Sequence, residues 1–195
     1  MNKPQIYVDM DGVLVNFLDG ALTWFGVDYD IETQWPKGRW GDNELIKEIF
    51  GLTEDQFWTE LSDDYFWEHL MLMPDARALL TAIDQYKPVI LTAPARSGGA
   101  SGKQRWIERH LPEYFKEKRY IICPDKKYVA GPGRILIDDS EKNIKDWNDA
   151  GGGIGILYPR RWNQFFYIQN PLEFALNSIE YCIDIFRQFG ETCVQ

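Results

Sequence analysis

A chain of 195 residues, 45% hydrophobic and 15% aromatic, has the material for one well-buried domain with room for a smaller insertion, and this composition excludes a disordered chain. The formal net charge of −9 argues against a nucleic-acid polymer as partner, and no apolar run approaches the length of a membrane span. Two histidines and three cysteines (Cys123, Cys182, Cys193) without metal-site spacing leave catalysis to carboxylates and indicate reduced thiols in a cytoplasmic protein, and Met1-Asn2-Lys3-Pro4 does not read as a secretory signal.

The first element is an apolar, β-branched run, Ile6-Tyr7-Val8, that ends abruptly in Asp9-Met10-Asp11-Gly12. Residues 5–11 are expected to form a buried parallel strand, and the carboxyl end of such a strand is where open α/β sheets place their chemistry. With a side-chain period of two, Asp9 and Asp11 fall on one face, and Gly12 permits the turn that must follow. Two like charges this close need a cation or a shared proton, and hard oxygen ligands suit Mg²⁺. A plain strand end with an Asp-Gly turn has the same residues. The downstream sequence has to decide.

From 16 to 73 the texture becomes helical, acidic and aromatic: 13 acidic residues face 3 basic ones, and five of the eight tryptophans lie here (Trp24, Trp35, Trp40, Trp58, Trp67). Trp35-Pro36-Lys37-Gly38 reads as a loop, Asp42–Phe50 as a helix stopped by Gly51, and Thr53-Glu54-Asp55-Gln56 as the capping box of another helix. Most of these aromatics are expected to pack as the core of a small helical subdomain. Pro74-Asp75 then opens an amphipathic helix through Leu79, Leu80 and Ile83.

After it, strand and helix alternate. Strands are expected at 89–92, 120–123, 135–139 and 154–158, with helices at 102–110, 140–149 (capped by Ser140) and 171–186. Ser97-Gly98-Gly99-Ala100-Ser101-Gly102 reads as a flexible linker. The pattern is that of an α/β fold, a parallel sheet with helices on both faces, in which 1–15 and 74–195 form the core and 16–73 is an insertion after the first strand.

Three strand ends carry polar groups where buried strands should have none: Asp9 and Asp11, Thr92, and Asp138 and Asp139. Ends of parallel strands converge along one edge of the sheet, so these groups can meet around a point. Four carboxylates together require a divalent cation, and with Mg²⁺ they make a site for phosphoryl transfer. Lys103, Lys126 and Lys127 are the nearby cations that could balance a phosphate, although a solvated surface charge is the ordinary fate of a lysine.

This set of motifs resembles the haloacid dehalogenase (HAD) superfamily: Asp-x-Asp at a strand end, then a Thr or Ser, a Lys, and an acidic pair. Within it, Val8-Asp9-Met10-Asp11-Gly12-Val13-Leu14 with Phe17, Leu91-Thr92-Ala93-Pro94, the Lys103/Trp106 helix, Pro124-Asp125-Lys126 and Leu136-Ile137-Asp138-Asp139 are similar, in the same order, to the 5′(3′)-deoxyribonucleotidases. The resemblance implies a HAD-like core with a helical cap at 16–73. It also implies a Mg²⁺-dependent phosphatase acting on (deoxy)ribonucleoside monophosphates, with a small-molecule substrate, no nucleic-acid polymer and no membrane; a homodimer is compatible with it.

The same resemblance makes Asp9 the nucleophile that forms an aspartyl-phosphate and Asp11 the acid/base. Mg²⁺ would be held by Asp9, the main-chain carbonyl of Asp11, and Asp138 and Asp139, one directly and the other through water. Thr92 would hold phosphoryl oxygens, Lys126 in the first place and Lys103 in the second would supply the cation, and Phe17 would stack on the base. Two departures stand out: Ala93 replaces the usual Ser, and Gly131-Pro132-Gly133 lengthens the stretch between Lys126 and Asp138. They bear on substrate identity more than on reaction type. A HAD phosphatase for another small phosphate, such as a sugar phosphate, and a non-catalytic phosphate-binding domain are the alternatives; the second has no need of Asp11.

Overall fold

The structure, a computed structural model, describes residues 4–40 and 43–190; Asp42 of the expected third helix and Cys193 lie outside them. Strand β1 (Gln5–Val8) is followed by helices α1 (Phe17–Phe25), α2 (Ile31–Gln34), α3 (Asn43–Phe50), α4 (Glu54–Glu60) and α5 (Asp64–Glu68). The chain then alternates: α6 (Ala76–Ile83), β2 (Val89–Thr92), α7 (Gly99–His110), α8 (Pro112–Lys116), β3 (Tyr120–Ile122), β4 (Arg134–Asp138), α9 (Glu141–Asp149), β5 (Ile154–Leu157) and α10 (Pro171–Gly190).

The five strands are all parallel in the order β3-β2-β1-β4-β5, so β1 sits at the centre with β2 and β4 beside it. This puts the ends of β1, β2 and β4 next to one another. The period of two sorts the strand residues onto two faces. Tyr7, Leu91 and Leu136 pack with Trp147 of α9, while Ile6, Val8, Ile90, Ile135 and Ile137 join the larger core with Trp106 of α7 and Ile179 and Ile183 of α10.

That larger core runs unbroken into the 16–73 helices, where Phe57, Leu61, Phe66 and Trp67 belong to it. The chain leaves and re-enters through one narrow stem: Val15 bridges Leu72, Asn16 N–H donates to Met71 C=O (2.8 Å) and Met73 N–H to Leu14 C=O (2.9 Å). Thr53 and Gln56 form the expected capping box of α4, and Ser140 accepts from the Asn143 N–H (3.3 Å) as N-cap of α9. Cys123 and Cys182 are free thiols. No helix among the described residues is long and apolar enough to cross a membrane.

Two expectations are corrected. The first strand ends at Val8 rather than at residue 11, because the chain turns as soon as Asp9 has made the last ladder bond, its N–H to Ile137 C=O at 2.8 Å. The Gly-rich stretch 97–102 is no linker: it opens α7, and its glycines let α7 approach α5 closely. A Cβ on Gly98 would lie 2.0 Å from Ser62 O, and one on Gly102 2.4 Å from Asp64 O. Glycines at a close helix crossing and glycines in a loop have the same composition; only packing tells them apart. Across that crossing Arg105 and Arg109 pair with Glu68 at 2.7 and 2.5 Å.

Candidate active site

The site begins where β1 stops. Asp9, at the strand end, is buried; its Oδ1 accepts from the Met10 N–H (2.6 Å) and from Lys126 Nζ (2.6 Å), while Oδ2 accepts no hydrogen bond among the described residues. The turn behind it is closed by Gly12 N–H to Val15 C=O (2.9 Å) and Leu14 N–H to Met10 C=O (2.8 Å). Gly12 takes φ +75°, and a Cβ there would meet Asp139 Oδ2 at 2.1 Å. Only glycine serves both the left-handed backbone and that approach.

Asp138 and Asp139 stand at the end of β4. Asp138 is fully buried and fully bonded. Its Oδ1 accepts from the Ser140 N–H (2.9 Å), its Oδ2 from Lys126 Nζ (2.6 Å), and Asn143 Nδ2 reaches both oxygens at 3.2 and 3.1 Å. Asp139 Oδ2 accepts from the Trp162 indole N–H (2.6 Å), and its main-chain oxygen from Asn163 Nδ2 (2.9 Å). Asp139 Oδ1 has no such partner among the described residues. Asp11 pairs with the buried Lys103 through Oδ2, and its Oδ1 is buried with no hydrogen-bond partner among the described residues.

Burial, and then the Asp138 charge, push the Asp9 carboxyl well above the usual carboxylate range, with Lys126 opposing. The same two causes raise Asp139 to about 7, against the hydrogen bond from Trp162. For Lys126, burial pulls the ammonium down, but Asp138 and Asp9 outweigh it and hold it charged. Asp9, Asp138 and Asp139 each offer an oxygen within 4.8 Å of the others. Counted as ionised, Asp9, Asp11, Asp138 and Asp139 pair, among the described residues, with the two ammonium groups of Lys103 and Lys126, while the nearby Arg160 is balanced by Asp75. The excess is two negative charges, the charge of one divalent cation, and the donor set is all oxygen. The residues present fit a hard divalent ion.

A cavity of about 310 Å³ opens over this floor. Asp9, Asp11, Lys126 and Asp139 line it with the buried Trp162, and the exposed Trp40 and Lys142 are among its other lining residues. The structure therefore brings Asp9, Asp11, Lys126, Asp138 and Asp139 together. Thr92 and Lys103 are buried behind them and do not line the cavity; Thr92 Oγ1 accepts from Lys103 Nζ at 3.0 Å, and Ala93 C=O does so at 2.6 Å.

Phe17 is placed differently from the sequence reading. It is buried, with Trp58 and Trp67 stacked against it at 5.8 and 5.4 Å and interplanar angles of 15° and 14°. Its ring is covered, because the helix it begins turns it inward to the large core, and it does not line the cavity. Two rings line the cavity: Trp40, 45% exposed, and the buried Trp162, 5.8 Å from it.

Several residues escaped the sequence reading: Asn143, Arg160, Trp162, Asn163 and Trp40. Arg160 donates to Gly12 C=O (2.6 Å) and makes a two-pronged pair with Asp75 at 2.9 Å on each prong, and Tyr158 Oη donates to Asp75 at 2.7 Å. Despite burial, the Arg160 hydrogen bonds hold the Asp75 carboxyl below its usual value. The signal that could have found 158–163 is the one used for the other strands: β5 ends at the same edge of the sheet, and Arg160-Arg161-Trp162-Asn163 follows it.

Comparison with known proteins bears on the same residues. A family profile described as 5′ nucleotidase, deoxy (pyrimidine), cytosolic type C protein matches residues 3–193. A protein of Vibrio phage KVP40 described as "Putative 5'(3')-deoxyribonucleotidase" is 28% identical over 146 residues, which is 73% of this chain and 69% of the phage protein. Among solved structures, a haloacid dehalogenase-like family hydrolase from Streptococcus pneumoniae superposes with a TM-score of 0.54 at 19% identity, covering 88% of this chain and 96% of the other. A protein from Clostridium acetobutylicum described as "a predicted phosphatase" gives a TM-score of 0.51 at 14% identity, covering 87% and 91%. These two likenesses are of fold.

Proposed function

The chain belongs to the 5′ nucleotidase, deoxy (pyrimidine), cytosolic type C family and is a HAD-type phosphatase; from that premise we propose that it hydrolyses (deoxy)ribonucleoside monophosphates to nucleoside and phosphate through an aspartyl-phosphate on Asp9. One observation carries the reading: at the cavity base Asp9 has Oδ1 pinned by the Met10 N–H and Lys126, and Oδ2 left without a partner among the described residues. A carboxylate fixed through one oxygen presents the other in a single orientation, as an attacking atom requires.

In the proposed sequence Asp9 Oδ2 bonds to phosphorus as the ester P–O bond breaks, and the leaving oxygen takes a proton from Asp11. Asp11 lines the cavity and is the group assigned to that proton, and Lys103 holds it in place through Oδ2. A water then attacks phosphorus, gives its proton back to Asp11, and frees Asp9. Lys126 lines the cavity and is assigned to the phosphoryl oxygens; Thr92, buried behind it, accepts from Lys103 through Oγ1. Lys103 is assigned to hold Asp11 and Thr92. Asp9, Asp138 and Asp139, with the main-chain carbonyl of Asp11 that the resemblance adds, would hold Mg²⁺, which would supply positive charge against the phosphoryl oxygens. Trp40 offers the flat face a nucleobase would stack on.

The test is phosphate release from a panel of deoxynucleoside and nucleoside monophosphates and sugar phosphates, with and without Mg²⁺. Mg²⁺-dependent release, fastest on nucleotides, is expected. The covered ring of Phe17 favours a second reading, a phosphatase for a smaller ester. Faster release from the sugar phosphates would establish that one instead.

A further inference from the structure

We propose that Trp162 is a positioning residue that makes Asp139 a one-oxygen ligand, and so sets the cation affinity of the site. The inference rests on the reading of Asp9, Asp138 and Asp139 as a cation site. Trp162 is buried, and a buried indole N–H requires an acceptor. The acceptor here is Asp139 Oδ2 at 2.6 Å, rather than any main-chain carbonyl.

Two further contacts, each held in place by another bond, leave Asp139 little freedom. Asn163 Nδ2 holds the Asp139 main-chain oxygen at 2.9 Å and the Tyr158 oxygen at 2.8 Å, tying the end of β4 to the segment after β5. Gly12 also lies against Oδ2, and even a methyl group there would overlap it at 2.1 Å. Arg160 Nε holds the Gly12 carbonyl at 2.6 Å and keeps that wall in place. Oδ2 thus lies against the catalytic turn and the indole, and Oδ1 is the oxygen left for the cluster with Asp9 and Asp138.

Without the indole N–H the carboxylate can rotate, and it must be fixed again each time a cation binds. A partner behind a metal ligand of this kind is typically worth about 10- to 100-fold in affinity. The arrangement also places one ring of the cavity wall directly on a cluster ligand, since Trp162 lines the same cavity.

The probe is Mn²⁺ alone, with binding read from the free-ion electron paramagnetic resonance signal of the full chain and no substrate present. Replacing Trp162 by 3-benzothienylalanine exchanges the N–H for sulfur and keeps the shape; Trp162→Phe is the encoded counterpart. Both are expected to weaken Mn²⁺ binding about tenfold or more, while the benzothienyl protein keeps the wild-type melting temperature without cation. Asp138→Asn combined with Asp139→Asn is expected to abolish binding. Wild-type affinity in the benzothienyl protein overturns the role of the N–H and leaves the cation site standing. No binding by the wild-type chain overturns the cation site and the inference with it. A loss seen only in Trp162→Phe assigns the effect to packing and also overturns the proposal.

Discussion

The floor and the mouth of the cavity are built by different rules. At the floor, Asp9, Asp138 and Lys126 come from the sheet edge, are buried, and bond to one another and to the backbone within 2.6–2.9 Å. At the mouth, Trp40 and Lys142 come from a loop and a helix surface and are largely open to solvent. Fixed groups suit a reaction whose charges must be met without rearrangement, and exposed ones suit the discrimination of leaving groups. The floor should therefore respond to substitution in turnover and cation binding, and the mouth in substrate preference.

The largest effect is expected at the floor. Asp9→Asn keeps the shape and removes the attacking charge, and turnover should fall about 10³-fold or more with the fold intact, checked by steady-state kinetics and circular dichroism. Asp11→Asn should cost about 10²- to 10⁴-fold on an alkyl phosphate and clearly less on p-nitrophenyl phosphate, whose leaving group needs no proton. Equal losses on both would detach Asp11 from the leaving oxygen.

The sharpest contrast lies between two aromatic rings. Phe17 packs against Trp58 and Trp67 inside the core, so Phe17→Ala should cost about 3–5 kcal/mol of stability in denaturant unfolding. Trp40→Ala should leave stability near wild type and weaken hydrolysis of nucleoside monophosphates about tenfold relative to a sugar phosphate. Reversed outcomes would return the base to Phe17 and break the division between floor and mouth.

The smallest effect concerns the wall behind the floor. Asp75 is held below its unfolded value by Arg160, so its contribution to stability is present above about pH 4 and is lost as pH falls through the lowered folded value. Asp75→Asn should flatten the acid side of a melting-temperature profile and leave the neutral side parallel to wild type.

Most of the floor was legible in the sequence because strand ends advertise themselves: Asp9, Asp138 and Thr92 interrupt runs such as Ile6-Tyr7-Val8 and Ile135-Leu136-Ile137, where burial demands apolar residues. The parallel sheet and the strand–helix order follow from the same runs. What did not show was any feature set by packing between distant segments. Gly98 and Gly102 read as a loop because a close crossing with α5 leaves no local mark. Phe17 was placed on the base by the resemblance, and nothing local corrected that because its neighbours Trp58 and Trp67 are some forty and fifty residues away. Trp162 and Asn163 carry no local mark at all, since their meaning lies in bonds to Asp139.

The central claim is that Asp9 takes the phosphoryl group before water does. Rapid acid quench of the enzyme during turnover of a deoxynucleoside monophosphate labelled with ³²P in its phosphate tests it most directly. Label bound to the protein, mapped to the peptide that contains Asp9 and absent from Asp9→Asn, is the expected result. Full turnover with no protein-bound label at the shortest quench times, or label retained in Asp9→Asn, would contradict it.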